Sequence, residues 1–303
     1  MAEKIIVTEA VLSPVRIDRY LAEALPDVSR SYLQKLLKEG CVQAGGVSVK
    51  PNYKVAGNET LLVRFPGEKE PDIVAEDIPL DILYEDEDLL VVNKPKGMVV
   101  HPGAGHYSGT LVNALMYHCK DQLSGINGVL RPGIVHRIDR DTTGSLLVCK
   151  NDFAHNHIAA QLKEHSITRK YRAIVHGNIK EDNGTVNACI GRHPVDRKKM
   201  AVHVKNGREA VTHYHVLKRF GQFTYIECQL ETGRTHQIRV HMSSIHHPIL
   251  GDEVYGPAKC PFPGLQGQTL HAQVLGFVHP RTGRYLEFSA PLPEYFEALL
   301  SKL

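Results

Sequence analysis

The sequence predicts an α+β protein in two parts, a small N-terminal helical unit with a short β element and a larger domain built on a mixed, mostly antiparallel sheet. Apolar residues recur at helical spacing in one short stretch near the N-terminus and then give way to brief β-like runs. A proline-bracketed, charged segment follows Phe65, as a linker would. From Ile82 onward strand-like runs dominate, and helices do not alternate with them in the regular manner of a doubly wound sheet. With 303 residues, 42% of them hydrophobic and 23% charged, the chain can bury a real core, which sets aside the disordered and membrane-spanning classes.

In the N-terminal unit, Ile17, Tyr20, Leu21, Ala24 and Leu25 mark one amphipathic helix, and Tyr32, Leu33, Leu36 and Leu37 a second. Ser29 is placed as the N-cap of the second helix and Gly40 as its stop. The runs Cys41–Gln43, Val47–Val49 and Leu61–Val63, parted by Gly45-Gly46 and Gly57-Asn58, read as strands and turns. Arg30, Gln34 and Lys38 follow one another along one face of the second helix. Such a stripe is either a plain solvated face or a surface for a polyanion. The unit resembles the S4 RNA-binding domain in Ser29-Arg30-Ser31, in Lys38-Glu39-Gly40-Cys41-Val42 and in Gly45-Gly46-Val47, with Gly45-Gly46 standing where Asn-Gly is common. That resemblance implies RNA contacts through Arg16, Arg30, Gln34 and Lys38.

The larger domain carries strand-like runs at Leu89–Val92, Ser145–Val148, Tyr171–Val175 and Thr224–Cys228, with helices expected at Leu111–Cys119, Phe153–Glu164 and, shorter, His236–Ser244. The loop Gly103-Ala104-Gly105-His106-Tyr107-Ser108-Gly109 has its third glycine misplaced for dinucleotide binding, and no Walker loop occurs, so no nucleotide cofactor is expected. The pairs His236/His241 and His155/His157 lack the spacing of a helical zinc motif, so no metal is expected either. The 6 cysteines are scattered without a C-x-x-C pair and read as reduced thiols. A net charge of +3 permits nucleic-acid binding without demanding it. No secretory leader is evident, and a cytoplasmic monomer is the expectation.

The region Val135–Lys150 differs in kind. His136-Arg137-Ile138-Asp139-Arg140-Asp141-Thr142-Thr143-Gly144 sets cations and carboxylates against Ser145–Val148, a strand that must be buried. Charge is costly there unless it pairs or acts, although a surface loop of arginine–aspartate pairs is the plain alternative. Lys170-Tyr171-Arg172 puts a tyrosine among cations on a strand, suited equally to a core or to stacking on an unstacked base. Thr232–His241 repeats the basic density and, as a helix, sets Thr235, Ile238 and Met242 on one face.

Together these segments resemble the RluA family of pseudouridine synthases. The family's His-Arg-Leu-Asp-x-x-Thr-Ser-Gly is matched from His136 to Gly144, with Ile138 for leucine and Thr143 for serine. Asn93-Lys94-Pro95-Lys96-Gly97, Val100-His101-Pro102, Lys170-Tyr171-Arg172-Ala173, Gly233–His241 and Gly251-Asp252 match its other motifs in order. The arrangement is similar to the RluD-like branch, which modifies large-subunit ribosomal RNA. The resemblance implies an S4-like domain over residues 14–66, a linker over 67–80 and a catalytic domain over 81–303.

It also implies cofactor-free isomerisation of uridine in RNA, with Asp139 as the catalytic carboxylate and Arg239 as its ion-pair partner. Tyr171 would stack on the base and assist proton removal from C5, and Ile238 would pack the opposite side. Arg137 would fill the gap left by a flipped-out uridine, and His136 and Thr142 would join the substrate-binding residues. Asp141 is expected to support the loop only. Asp139 is left open between attack on the sugar and proton removal. Three alternatives stand beside this reading: the same chemistry on transfer RNA, a non-catalytic RNA- or ribosome-binding protein, and a nucleoside hydrolase that would release free uracil.

Overall fold

Residues 2–8, 14–26, 28–65, 73–103, 105–120, 122–128, 130–196 and 198–303 are described by the computed structural model. The chain divides into two units, Met1–Glu70 and Pro71–Leu303.

The first unit contains β1 (Ala2–Val7), β2 (Val15–Arg16), α1 (Ile17–Ala24), α2 (Arg30–Lys38), β3 (Val42–Ala44), β4 (Val47–Ser48), β5 (Lys54–Val55) and β6 (Thr60–Phe65). Ile17, Leu21, Leu33 and Leu36 are fully buried where α1 and α2 meet the sheet, as their spacing predicts. Ser29 caps α2 by accepting the Tyr32 backbone N–H at 3.3 Å, and Gly40 follows its end at φ +76°. The sheet runs in the order β1-β6-β3-β4, so pairing begins upstream of residue 14, where the sequence reading started the domain.

Charge within this unit is organised around Asp18, a fully buried carboxylate in the first turn of α1. It accepts from Arg16 Nε at 3.1 Å, Arg30 Nη2 at 2.9 Å and Gln34 Nε2 at 2.7 Å. Burial opposes its ionisation, but these three donors prevail and hold the carboxyl well below the usual range. The expected RNA-facing row is therefore partly committed inside the unit. Gln34 and Arg30 reach toward α1, and Lys38 stays exposed.

The second unit contains β7 (Ile82–Glu85), β8 (Leu89–Lys94), α3 (Leu111–Cys119), β9 (Thr143–Cys149), α4 (Asp152–Lys163), β10 (Thr168–His176) and β11 (Asn183–Asn187). There follow β12 (Ile190–Arg192), β13 (Met200–Val202), β14 (Val211–Arg219), β15 (Phe223–Leu230), α5 (Gln237–Ser244), β16 (Leu270–Val278), β17 (Tyr285–Ser289) and α6 (Glu294–Lys302). Among the described residues a 9-stranded sheet runs β11-β14-β15-β10-β16-β9-β8-β7, with β17 added to β16. Its pairs are antiparallel except β9 with β16, which gives the mixed sheet and α+β class that the sequence predicts.

The uninterrupted apolar runs of β8 and β9 have a physical reason. Leu90, Val92, Leu146 and Val148 face one core, covered by Leu111 and Leu115 of α3. Leu89, Val91, Leu147 and Cys149 face another, covered by Ala154 and Ile158 of α4. A sheet covered on both faces needs no polar alternation. The expected helices thus form close to their predicted ends, whereas α6 was not foreseen.

Of the expected linker, residues 67–72 lie outside the described residues. Residues 73–80 are part of the second unit: Ile73 is buried in its core, and Asn113 Nδ2 donates to Val74 O at 2.8 Å. The Glu76 backbone N–H donates to Asn113 O at 3.0 Å. Their acidic composition read as a spacer because the partner, Asn113, is remote in sequence.

Candidate active site

The loop from His136 to Thr142 leads into β9 and is held from both sides. The Thr142 N–H donates to Asp139 O at 3.1 Å, closing a turn, and Gln268 Nε2 donates to the buried Thr142 hydroxyl at 3.1 Å. Beneath the loop, Lys94 at the end of β8 is 1% exposed, and its Nζ donates to the carbonyls of Pro95 at 2.8 Å, Met98 at 2.9 Å and Arg140 at 2.9 Å. Three acceptors match the three donors of an ammonium. Burial lowers the Lys94 pKa to about 7 against the opposing charges of Asp141 and Asp139. The motif around Lys94 thus positions the loop that carries Asp139.

Arg239 comes from α5, whose start is fixed by Gln237. Gln237 Oε1 accepts from the Thr232 hydroxyl at 2.8 Å and the Arg234 N–H at 2.9 Å, and Nε2 donates to Val211 O at 2.9 Å. His236 precedes the helix in a left-handed conformation, φ 57°. From there Arg239 Nη1 donates to Asp139 Oδ2 at 2.9 Å, while Nε and Nη2 donate to Asp252 at 2.7 and 2.9 Å. Burial opposes charge on both Arg239 and Asp252, yet their mutual hydrogen bonds outweigh it, raising the arginine and holding the aspartate below its usual range. The Arg239 guanidinium also lies 5.3 Å from the centre of the Tyr255 ring, a cation–π contact.

Tyr171 sits on β10 where the pairing with β16 shifts register between Lys170 and Tyr171, a bulge of the kind that re-aims a side chain beside a site. It is 8% exposed and lines the same cavity as Asp139, Ile138, Ile238 and Arg239. Burial raises its phenol pKa, with Arg169 opposing and Asp139 adding. The cavity, about 320 Å³, is of ordinary ligand-pocket size. His236 Nε2 lies 3.9 Å from Asp139 Oδ1, and its Nδ1 is 2.9 Å from the Tyr255 hydroxyl. Burial lowers the His236 pKa despite the nearby Asp139 charge.

The predicted residues therefore converge, with differences of role. Asp139, Tyr171, Ile238, Arg239, Arg137, His136 and Thr142 all line this cavity, and Arg137 is exposed. His136 is chiefly internal: its Nε2 accepts the Leu147 N–H of β9 at 2.9 Å, and burial brings its pKa to about 3. Asp141 pairs with the adjacent Arg140 at 3.1 Å. Sequence reasoning passed over Asp252, Tyr255 and Gln268, since a carboxylate behind an arginine carries no periodic signal; only the Gly251-Asp252 match pointed there.

Among the described residues, Glu85, His118 and Cys119 come close enough to suggest a metal, but Glu85 is already paired with Lys150 Nζ at 2.9 Å and His118 Nε2 at 2.8 Å. Burial also pushes the Cys119 thiol up to about 11, away from the ligating thiolate. No described helix is long and apolar enough to cross a membrane.

A carboxylate fixed by a buried arginine, sharing a cavity with a tyrosine on a mixed sheet, has the layout of an enzyme's active site. The sequence matches the family described as RNA pseudouridylate synthase over residues 88–244 and the S4 domain over residues 15–61. It is 56% identical over 288 residues to the uncharacterized RNA pseudouridine synthase YlyB of Bacillus subtilis, spanning 95% of this chain and 94% of that protein. It is 48% identical over 311 residues to the ribosomal large subunit pseudouridine synthase D of Zymomonas mobilis, spanning 99% and 97%. Among solved structures, human RNA pseudouridylate synthase domain containing 1 superposes with a TM-score of 0.58 at 25% identity, covering 79% of this chain and 97% of that one. This chain belongs to the RNA pseudouridine synthase family: it is an isomerase whose substrate is RNA, with an S4 domain ahead of the catalytic domain.

Proposed function

We propose that this enzyme converts specific uridines of large-subunit ribosomal RNA to pseudouridine, with Asp139 as the carboxylate that opens the glycosidic bond. One observation carries the chemistry: Asp139 is bound by Arg239 at 2.9 Å on the wall of a cavity shared with Tyr171 and Ile238. Arg239 holds and aims the carboxylate, so that it can attack C1′ or remove a sugar proton as N1 departs. Tyr171 stacks on the uracil opposite Ile238 and assists loss of the C5 proton. Arg137, exposed at the cavity, fills the place vacated by the flipped nucleotide. Thr142 and His136 shape the loop and the cavity wall.

The ribosomal target is supported by similarity along nearly the whole chain to proteins named ribosomal large subunit pseudouridine synthase D, from Zymomonas mobilis at 48% and Pseudomonas aeruginosa at 46% identity. The enzyme works in the cytoplasm as a single chain, its S4 domain adding RNA contacts through Lys38 and the exposed parts of Arg16 and Arg30.

Two experiments test the proposal. With uridine-tritiated ribosomal RNA, wild-type protein releases label from C5 and Asp139→Asn releases none; wild-type-like release by the variant would sink the assignment. Mapping pseudouridine in cellular RNA with and without the protein shows the missing position in large-subunit RNA. A position lost from transfer RNA instead would move the target and leave the chemistry.

A further inference from the structure

The wall of the uridine cavity holds a cation that nothing so far explains. Arg169 lies two residues before Tyr171 on β10, lines the same cavity and is 6% exposed. Among the described residues no carboxylate pairs with it. Its Nη2 donates to Glu231 O at 3.0 Å, and its buried Nε has no hydrogen-bond partner. The other cations of the cavity are accounted for: Arg239 is matched by Asp139 and Asp252, Arg137 is exposed, and Arg234 is half-buried and donates to Glu209 O at 2.9 Å.

The surroundings keep room for this guanidinium. A Cβ added to Gly233 would stand 2.5 Å from Arg169 Nη1, although Gly233 does not adopt the left-handed backbone that favours glycine. A side chain at position 233 would therefore push the Arg169 guanidinium from its place. A buried, unpaired cation is retained at a cost unless a counter-charge arrives.

The reaction itself generates one. When the N1–C1′ bond breaks heterolytically, its electron pair stays with uracil as an anion spread over N1, O2 and O4. The sugar is left electron-deficient at C1′ and either bonds to an Asp139 carboxylate oxygen or gives a C2′ proton to it. The uracil then turns, and C5 bonds to C1′ as the Asp139 ester bond breaks or as Asp139 returns the proton to C2′; C5 then loses its proton to solvent while N1 gains one. Resting uracil is neutral, so a fixed cation favours the detached state over the bound substrate, which is how a charge accelerates a step. We propose that Arg169 is the cation that stabilises the uracil anion between bond breaking and bond making. This rests on the function proposed above.

The test compares uridine and 5-fluorouridine at one site of a ribosomal RNA transcript, following consumption of the nucleotide under single turnover. Fluorine at C5 stabilises the uracil anion by itself, so the protein's cation matters less. Arg169→Gln slows uridine consumption by about 10²–10³-fold and 5-fluorouridine markedly less. Gly233→Ala, which displaces the guanidinium without removing it, shifts the two rates in the same sense, and it carries the comparison if Arg169→Gln fails to fold. Equal losses for both substrates would overturn the proposal, as would weakened RNA binding with the bound rate unchanged, the mark of a phosphate contact. Wild-type protein that forms no pseudouridine in any RNA would overturn the proposed function, and this assignment with it.

Discussion

Arg239 divides one guanidinium between two carboxylates, giving Nε and Nη2 to Asp252 and Nη1 to Asp139. Asp252, fully buried at its side chain, is further fixed by the backbone N–H groups of Val254 at 2.9 Å and Tyr255 at 3.1 Å. The direction of the Asp139 carboxylate is therefore set from outside the cavity. Asp252→Asn keeps the shape and halves the charge partnership; it should lower turnover about 100-fold with RNA affinity unchanged. Single-turnover rates and a binding isotherm on the same RNA check this. Asp252→Ala should in addition cost on the order of 3 kcal/mol of stability, because it leaves Nε and Nη2 of a buried guanidinium without acceptors.

Asp141 is the control two residues away. Its carboxylate pairs with Arg140, which is exposed, and such pairs contribute only about 0–1 kcal/mol. Asp141→Ala should retain pseudouridine formation within a few-fold of wild type, measured beside an inactive Asp139→Asn.

Lys94 acts through the backbone of the loop. Lys94→Met leaves the carbonyls of Pro95, Met98 and Arg140 without their buried donor, a loss on the order of 3 kcal/mol. Both the denaturant midpoint and the turnover should fall; a variant with lowered stability and unaltered turnover would show that the loop keeps its place without this anchor.

Acid should weaken the fold before the carboxylates titrate. The folded His136 pKa is about 3, below the usual 6.5, because burial disfavours the charged ring while Nε2 accepts from Leu147. The unfolded chain then binds the extra proton between these values, so stability is present above pH 6.5 and is lost as pH falls toward 3. His155, His176, His241 and His271 are lowered by burial as well and act in the same sense. Melting temperatures should decline from pH 7 to pH 5, and His136→Gln should flatten part of that slope, on the order of 1–2 kcal/mol.

How much of this was legible in the sequence follows from how local each signal is. Helices α2 and α3 carry their own caps, Ser29 and Thr110, so both the existence and the ends of these elements could be read. The His136–Gly144 run stood out as charge set against a buried strand, whereas Tyr171, Ile238 and Arg239 were joined to it only by the family resemblance. What could not be read was commitment: Gln34 looked like a free surface amide until α1 brought Asp18 under it, and His136 looked like a ligand contact until β9 offered it the Leu147 amide. Residues 73–80 looked like tether for the same reason, because Asn113 supplies their partners from a distant helix.

The place of β16 in the sheet has a consequence for synthesis. Asp139 enters through β9 and Tyr171 through β10, and the strand that joins these two is neither but Leu270–Val278, threaded between them late in the chain. Until Leu270–Val278 has been made, the strands beside Asp139 and Tyr171 lack the one that joins them, so a truncation before Leu270 removes the seam of the sheet rather than a decoration.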